Sequence, residues 1–116
     1  MTKRNIIVEK SFALALAIIE YSEILEQKKK YVIAKQILRA GTSIGANIKE
    51  AQSGESKLDF IHKLKIADKE AHELQYWLEL CQQAESYPCP ERALIDTLEE
   101  VIKLLSKIIA TTKSKL

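Results

Sequence analysis

Apolar residues along this chain recur at spacings of three and four, the period of an α-helix rather than the alternation of a strand. Phe12, Ala15 and Ile19 follow that spacing, and so do Leu14, Ile18, Tyr21 and Leu25. Two adjacent faces are therefore apolar, which predicts a first helix over about Asn5 to Gln27. Lys28-Lys29-Lys30 closes it, placing cations at the negative end of the helix dipole.

Ile33, Ile37, Leu38, Ile44, Ile48 and Ala51 predict a second helix from about Val32 to Ser53. Gly41 and Gly45 fall inside it, each at a cost of about 1 kcal/mol relative to Ala. A break at these glycines is the competing expectation. With Ala40 and Ala46 beside them, however, they suit a continuous helix that another backbone approaches closely. Gly54 is the natural stop. Ser56-Lys57-Leu58-Asp59 has the form of a capping box with Asp in place of Glu. It opens a third helix to about Glu85, with Ile61, Leu64, Ala67, Ala71, Leu74, Leu78 and Cys81 as its core stripe. Pro88-Cys89-Pro90 ends the connection, and Pro90 suits the first turn of a fourth helix. Leu94, Leu98, Val101, Leu105 and Ile108 carry that helix to near Lys113.

Connections this short make consecutive helices antiparallel. The fold class expected is all-α, an antiparallel up-and-down four-helix bundle in one domain over residues 1–116. The 116 residues suit one domain, and 47% hydrophobic against 29% charged is an ordinary globular balance. The longest apolar run, Phe12 to Ile19, has eight residues, far short of the roughly 20 that span a bilayer. No small-residue cleavage site follows the first residues, so a secretory signal and a membrane partner are not expected, and a cytoplasmic location is. Cys81 and Cys89 have neither CxxC spacing nor a His at zinc-finger distance, which fits two reduced structural thiols.

The segment Gln36-Ile-Leu-Arg39-Ala-Gly-Thr-Ser43-Ile-Gly45-Ala-Asn47-Ile-Lys-Glu50-Ala51 carries a family resemblance. Asp59-Phe60-Ile-His-Lys-Leu64, Ile66-Ala67-Asp-Lys-Glu70-Ala71-His-Glu73 and Tyr76-Trp77-Leu78 extend it. Together they resemble the four-helix bundle proteins named for the intervening sequences of bacterial 23S rRNA genes, over nearly the whole chain and most densely at residues 36–80. Ala40 stands where many relatives use Ser. The chain is also similar to the accessory variability protein of diversity-generating retroelements, a pentameric barrel that binds nucleic acid and a reverse transcriptase. The resemblance implies a left-handed up-down bundle that assembles as a homopentamer. It implies no established biochemical activity.

Gln36, Arg39, Ser43, Asn47 and Glu50 share one stripe of the second helix, and Ile66, Glu70, Glu73 and Trp77 one stripe of the third. Folding the chain back at Gly54 sets Arg39 opposite Glu70, with Glu73 a turn further on. A structural polar network of Arg39, Asn47, Glu50, Glu70 and Glu73 is expected, one that serves helix register more than stability. A catalytic or di-metal site on the same glutamates is the alternative. Ferritin-like sites need Glu-x-x-His on two helices. Here Glu50-x-x leads to Ser53 and Glu70-x-x to Glu73, while His72 points away from Glu70. No Gly-rich phosphate loop, nucleophile elbow or Cys/His pairing is present. No catalytic residue, metal or cofactor is assigned. Gly41-x-x-x-Gly45 has the form of a membrane dimer motif, but Lys35, Arg39, Lys49 and Glu50 on the same helix favour close packing within the protein.

Two features point outward. From Phe12 to Ile19 the first helix is apolar around its circumference, whereas a bundle helix buries one stripe. A second copy of the chain is the simplest cover. The charges also separate once the helices are laid antiparallel. Residues 1–14, 44–66 and 104–116 form one pole with ten Lys/Arg against four Asp/Glu, net +6; the remainder has eight against twelve, net −4. Lys3, Arg4, Lys10, Lys49, Lys57, Lys63, Lys65 and Lys107 are the candidate phosphate contacts, with Lys113 and Lys115 at the same pole. Lysines late in the fourth helix complement its dipole, but Lys57, Lys63 and Lys65 lie at the wrong end of the third for that explanation. A non-enzymatic oligomer that binds RNA or DNA through this pole is the expectation. The alternative is an assembly module that captures a protein partner.

Overall fold

The computed structural model describes residues 4–116. Its helices are α1 (Ile6–Gln27), α2 (Tyr31–Ala51), α3 (Lys57–Gln83) and α4 (Arg92–Lys113). α1 packs on α2, α2 on α3, α3 on α4 and α4 back on α1, while the backbones of the diagonal pairs stay further apart. The result is an up-and-down four-helix bundle of 48 × 28 × 21 Å, with no strand among the described residues.

Each helix contributes the stripe its periodicity marked out. Leu14, Ile18 and Leu25 of α1, Ile37, Ile44 and Ile48 of α2, Leu64, Leu74 and Leu78 of α3, and Leu98, Val101 and Leu105 of α4 are sealed from solvent. Burying each such side chain is worth about 1.5–3 kcal/mol. The centre of the α1–α2 seam is narrow. A Cβ placed on Gly41 would lie 2.5 Å from Cγ2 of Ile18, and one on Gly45 would lie 3.4 Å from the backbone oxygen of Ser11. Small residues at these points let the continuous α2 lie close to α1. Ser11 and Ser22, buried on the same helix, each donate to the carbonyl three residues back.

The helix ends show which residues do the turning. Asn5 caps α1 by accepting from the Val8 amide. Ser56 Oγ accepts from the Asp59 amide at 3.0 Å, half of the capping box. The reciprocal bond is displaced by one residue, Asp59 Oδ2 accepting from the Glu55 amide. α2 ends three residues before Gly54, and no glycine adopts a positive φ. The left-handed turn belongs instead to Lys29, at φ 63°. The Lys30 amide donates to Leu25 O and the Lys29 amide to Glu26 O, a Schellman ending in which lysine fills the place glycine usually takes. Pro90 lies just before the N-cap Glu91 rather than in the first turn of α4. The α3–α4 connection is held by Tyr21, whose hydroxyl donates to Pro88 O at 2.6 Å. Burial pushes that phenol well above its ordinary range.

Candidate nucleic-acid interface

Antiparallel packing brings the start of α1, the end of α2, the start of α3 and the end of α4 to one pole. Contacts between distant residues register it: the Asn5 amide group donates to Gln52 Oε1 at 2.9 Å, and Lys57 Nζ donates to Lys115 O at 3.1 Å. Of the candidate phosphate contacts, Lys3 lies outside the described residues. Lys49, Lys57, Lys63, Lys65 and Lys107 make no ion pair among the described residues.

Two candidates are partly neutralised by ion pairs. Arg4 pairs with Glu9, Nε to Oε2 at 3.0 Å, and this bond holds the Glu9 carboxyl below the usual carboxylate range. Lys10 Nζ lies 2.5 Å from Glu100 Oε2, where the second turn of α1 runs beside the middle of antiparallel α4. The free positive charge is therefore concentrated on α2, α3 and α4.

Lys113 adds to it from the last turn of α4. A groove of about 350 Å³ between α3 and α4 is lined by Lys65, Asp68, Ser106, Ile109, Ala110 and Lys113. The Lys65 ammonium stands close enough to push the Lys113 pKa below that of an ordinary lysine. Sequence reading placed both lysines at this pole. It could not show that they share one groove, because that depends on which flanks of α3 and α4 face each other.

The polar stripe between α2 and α3 lies away from the pole. Arg39 Nη1 donates to Glu70 Oε2 at 2.9 Å and Nη2 to Glu73 Oε2, with Arg39 about half exposed. Such a surface network contributes about 0–1 kcal/mol. Asn47 and Glu50 do not join it. The Asn47 side chain donates to Ser43 O on its own helix at 2.8 Å, and Glu50 is exposed with no side-chain partner among the described residues. Sharing a stripe sets direction, but reach across the seam depends on side-chain length, and only Arg39 spans it. One turn beyond Glu73, the indole N–H of Trp77 is buried without an acceptor among the described residues.

A second surface lies on α1. Phe12, Leu16 and Ile19 stand 65%, 51% and 38% exposed. A groove of about 530 Å³ beside them runs between α1 and α2, bordered by Val8, Phe12, Ala15, Thr42, Gly45 and Ala46. Among the described residues no three His, Cys, Asp or Glu side chains converge as a metal site would require, and no helix is long and apolar enough to cross a membrane.

Known proteins place this geometry in a family. A comparison with curated proteins finds no match. Among solved structures, the chain is similar to a crystallised protein of unknown function from the S23 ribosomal protein family of Bacteroides thetaiotaomicron. The two are 44% identical with a TM-score of 0.82, over 89% of this chain and 97% of that one. The family model described as 23S rRNA-intervening sequence protein matches residues 3–107. The chain belongs to the 23S rRNA-intervening sequence protein family.

Proposed function

We propose that this protein is a non-enzymatic, cytoplasmic oligomer, a homopentamer, that binds RNA or DNA phosphates through the basic pole of its subunits. The carrying observation is the cluster of lysines without carboxylate partners among the described residues at that pole: Lys49, Lys63, Lys65 and Lys107 from three helices, together with Lys113. Where such charges meet a polyanion, counterion release drives association and makes it salt-dependent. Contacts of this kind position a phosphate backbone and read no sequence. Assembly multiplies the effect. Copies packed side by side over the Phe12, Leu16 and Ile19 face would align their poles and sum their fields.

A protein-binding assembly module is the second reading, favoured by the apolar α1–α2 groove itself. Mobility shift on random-sequence RNA and DNA separates the two. The nucleic-acid reading expects a complex that weakens steeply from 50 to 200 mM salt and is lost on charge reversal at Lys49, Lys63 and Lys107. No complex even at low salt, or one indifferent to those reversals, would leave the assembly module standing.

A further inference from the structure

The α3–α4 groove has a feature that a merely solvated basic surface does not need. Lys65 and Lys113 come from different helices and line the same groove. Neither has a carboxylate within ion-pair distance among the described residues. Asp68, three residues beyond Lys65, lines the groove too, but it is turned along α3 toward His72, Oδ1 lying 3.6 Å from Nδ1.

The groove also holds an unspent donor. Thr97 and Thr112 on α4 give their hydroxyl protons to carbonyls of their own helix, Ala93 O and Ile108 O. The Ser106 hydroxyl makes no such bond among the described residues. Ala110 presents only a methyl group between Ser106 and Lys113, so the groove stays open beside them. Two ammonium groups and one hydroxyl thus line a groove whose one carboxylate, Asp68, makes no ion pair with either lysine among the described residues. An oxyanion with several acceptor oxygens satisfies all three, and a phosphate group has that chemistry.

We propose that the α3–α4 groove is an oxyanion subsite in which one phosphate group is held jointly by Nζ of Lys65 and Nζ of Lys113, with the Ser106 hydroxyl as a third donor. The subsite deepens the basic-pole reading by naming where a nucleic-acid phosphate seats, and it rests on that reading for its biological ligand. The crowding of the two ammonium groups, which already disfavours the charged form of Lys113, is relieved when the anion is bound.

Two arms test it on the full chain. In the first, inorganic phosphate is titrated while the lysine side chains are followed by NMR. Phosphate should raise the Lys113 pKa toward the ordinary lysine range and shift its resonances, with Lys103 on the exposed side of α4 as an internal control. Lys65→Gln should abolish the response of Lys113. A Lys113 response no larger than that of Lys103, or one unchanged by Lys65→Gln, overturns the subsite.

In the second arm, affinity for a single-stranded RNA oligonucleotide is measured against salt. Two lysines sharing one phosphate count as one contact. Lys65→Gln, Lys113→Gln and the double variant should therefore all lose the slope of one single-strand contact, about 0.7, roughly a fivefold loss of affinity at 0.1 M salt. A double variant that loses twice as much as either single one overturns joint holding. RNA binding absent in the unaltered protein would sink the basic-pole reading, while the inorganic phosphate arm still decides the subsite.

Discussion

Replacing Gly41 with Ala tests the closeness of α1 and α2. The added Cβ would stand 2.5, 2.7 and 2.9 Å from Cγ2, Cγ1 and Cβ of Ile18. Carbon atoms in comfortable contact are about 3.5–4.0 Å apart, so a gap of about 1 Å must open. Ile18 is sealed from solvent and branched at Cβ, and no rotation about its Cα–Cβ bond moves the Cβ itself. Overpacking costs about 1–3 kcal/mol, about 2–3 here because the Ile18 Cβ cannot rotate away, and Ala in place of Gly in a helix returns about 1 kcal/mol. The net expectation is a loss of about 1–2 kcal/mol, a fall in melting temperature of about 4–10 °C for a domain of this size. Gly45→Ala is the matched control. Its Cβ would meet only the Ser11 carbonyl oxygen at 3.4 Å and atoms beyond, an ordinary contact, so it should gain about 0.5–1 kcal/mol. Urea unfolding followed by circular dichroism, at one fixed protein concentration, reads both. Ile18→Ala should partly rescue Gly41→Ala, making the double variant more stable than the summed single effects. A Gly41→Ala protein as stable as the parent would refute the packing argument.

Lys29 occupies a left-handed conformation that costs an L side chain roughly 1–2 kcal/mol. Lys29→Gly is expected to stabilise the bundle by about 0.5–1 kcal/mol after the entropy of glycine in the unfolded chain is subtracted, and a lower urea midpoint would contradict this. The two cysteines should differ in reactivity. Cys89 is exposed and should react with a thiol reagent in the folded protein, whereas Cys81 is buried and its thiol is pushed up by that burial, so it should react only on unfolding. A thiol whose folded pKa is raised binds its proton more firmly in the folded state. The stability it contributes is therefore complete below the ordinary cysteine range and falls as pH rises through it. Cys81→Ala should flatten that alkaline decline, and an unchanged urea-midpoint profile between pH 7 and 10 would refute the assignment.

Much of this architecture is legible from spacing and punctuation. Most core positions follow from period, although period does not choose between the two apolar faces of α1, and Leu38 is exposed. Asn5 and Ser56 mark helix starts through the bonds their side chains make. The turns are less legible. Glycine at position 54 and lysine at 29 suggest the reverse of what is found, because the Schellman hydrogen bonds at the end of α1 hold Lys29 in place against its own preference. Polar partners were legible only where one long side chain spans a seam. Arg39 reaches Glu70 and Glu73, but Asn47 is short enough to bond its own helix. The charged pole follows from antiparallel topology, which is a property of order along the chain. Which lysines stay free is a property of rotation about each helix axis, and so the Lys10–Glu100 pair and the Lys65–Lys113 groove emerge only in three dimensions.

Both functional readings depend on α1 being covered by another copy of the chain, since Phe12, Leu16 and Ile19 otherwise face water together. Light scattering on the eluting protein measures this most directly. A mass that is an integral multiple of the 13.2 kDa subunit at micromolar concentration, five subunits for the ring proposed, is the expected result, with Phe12→Asp shifting it toward the monomer. A 13.2 kDa species across that range would contradict the account, because the aligned basic poles would then have nothing to align them.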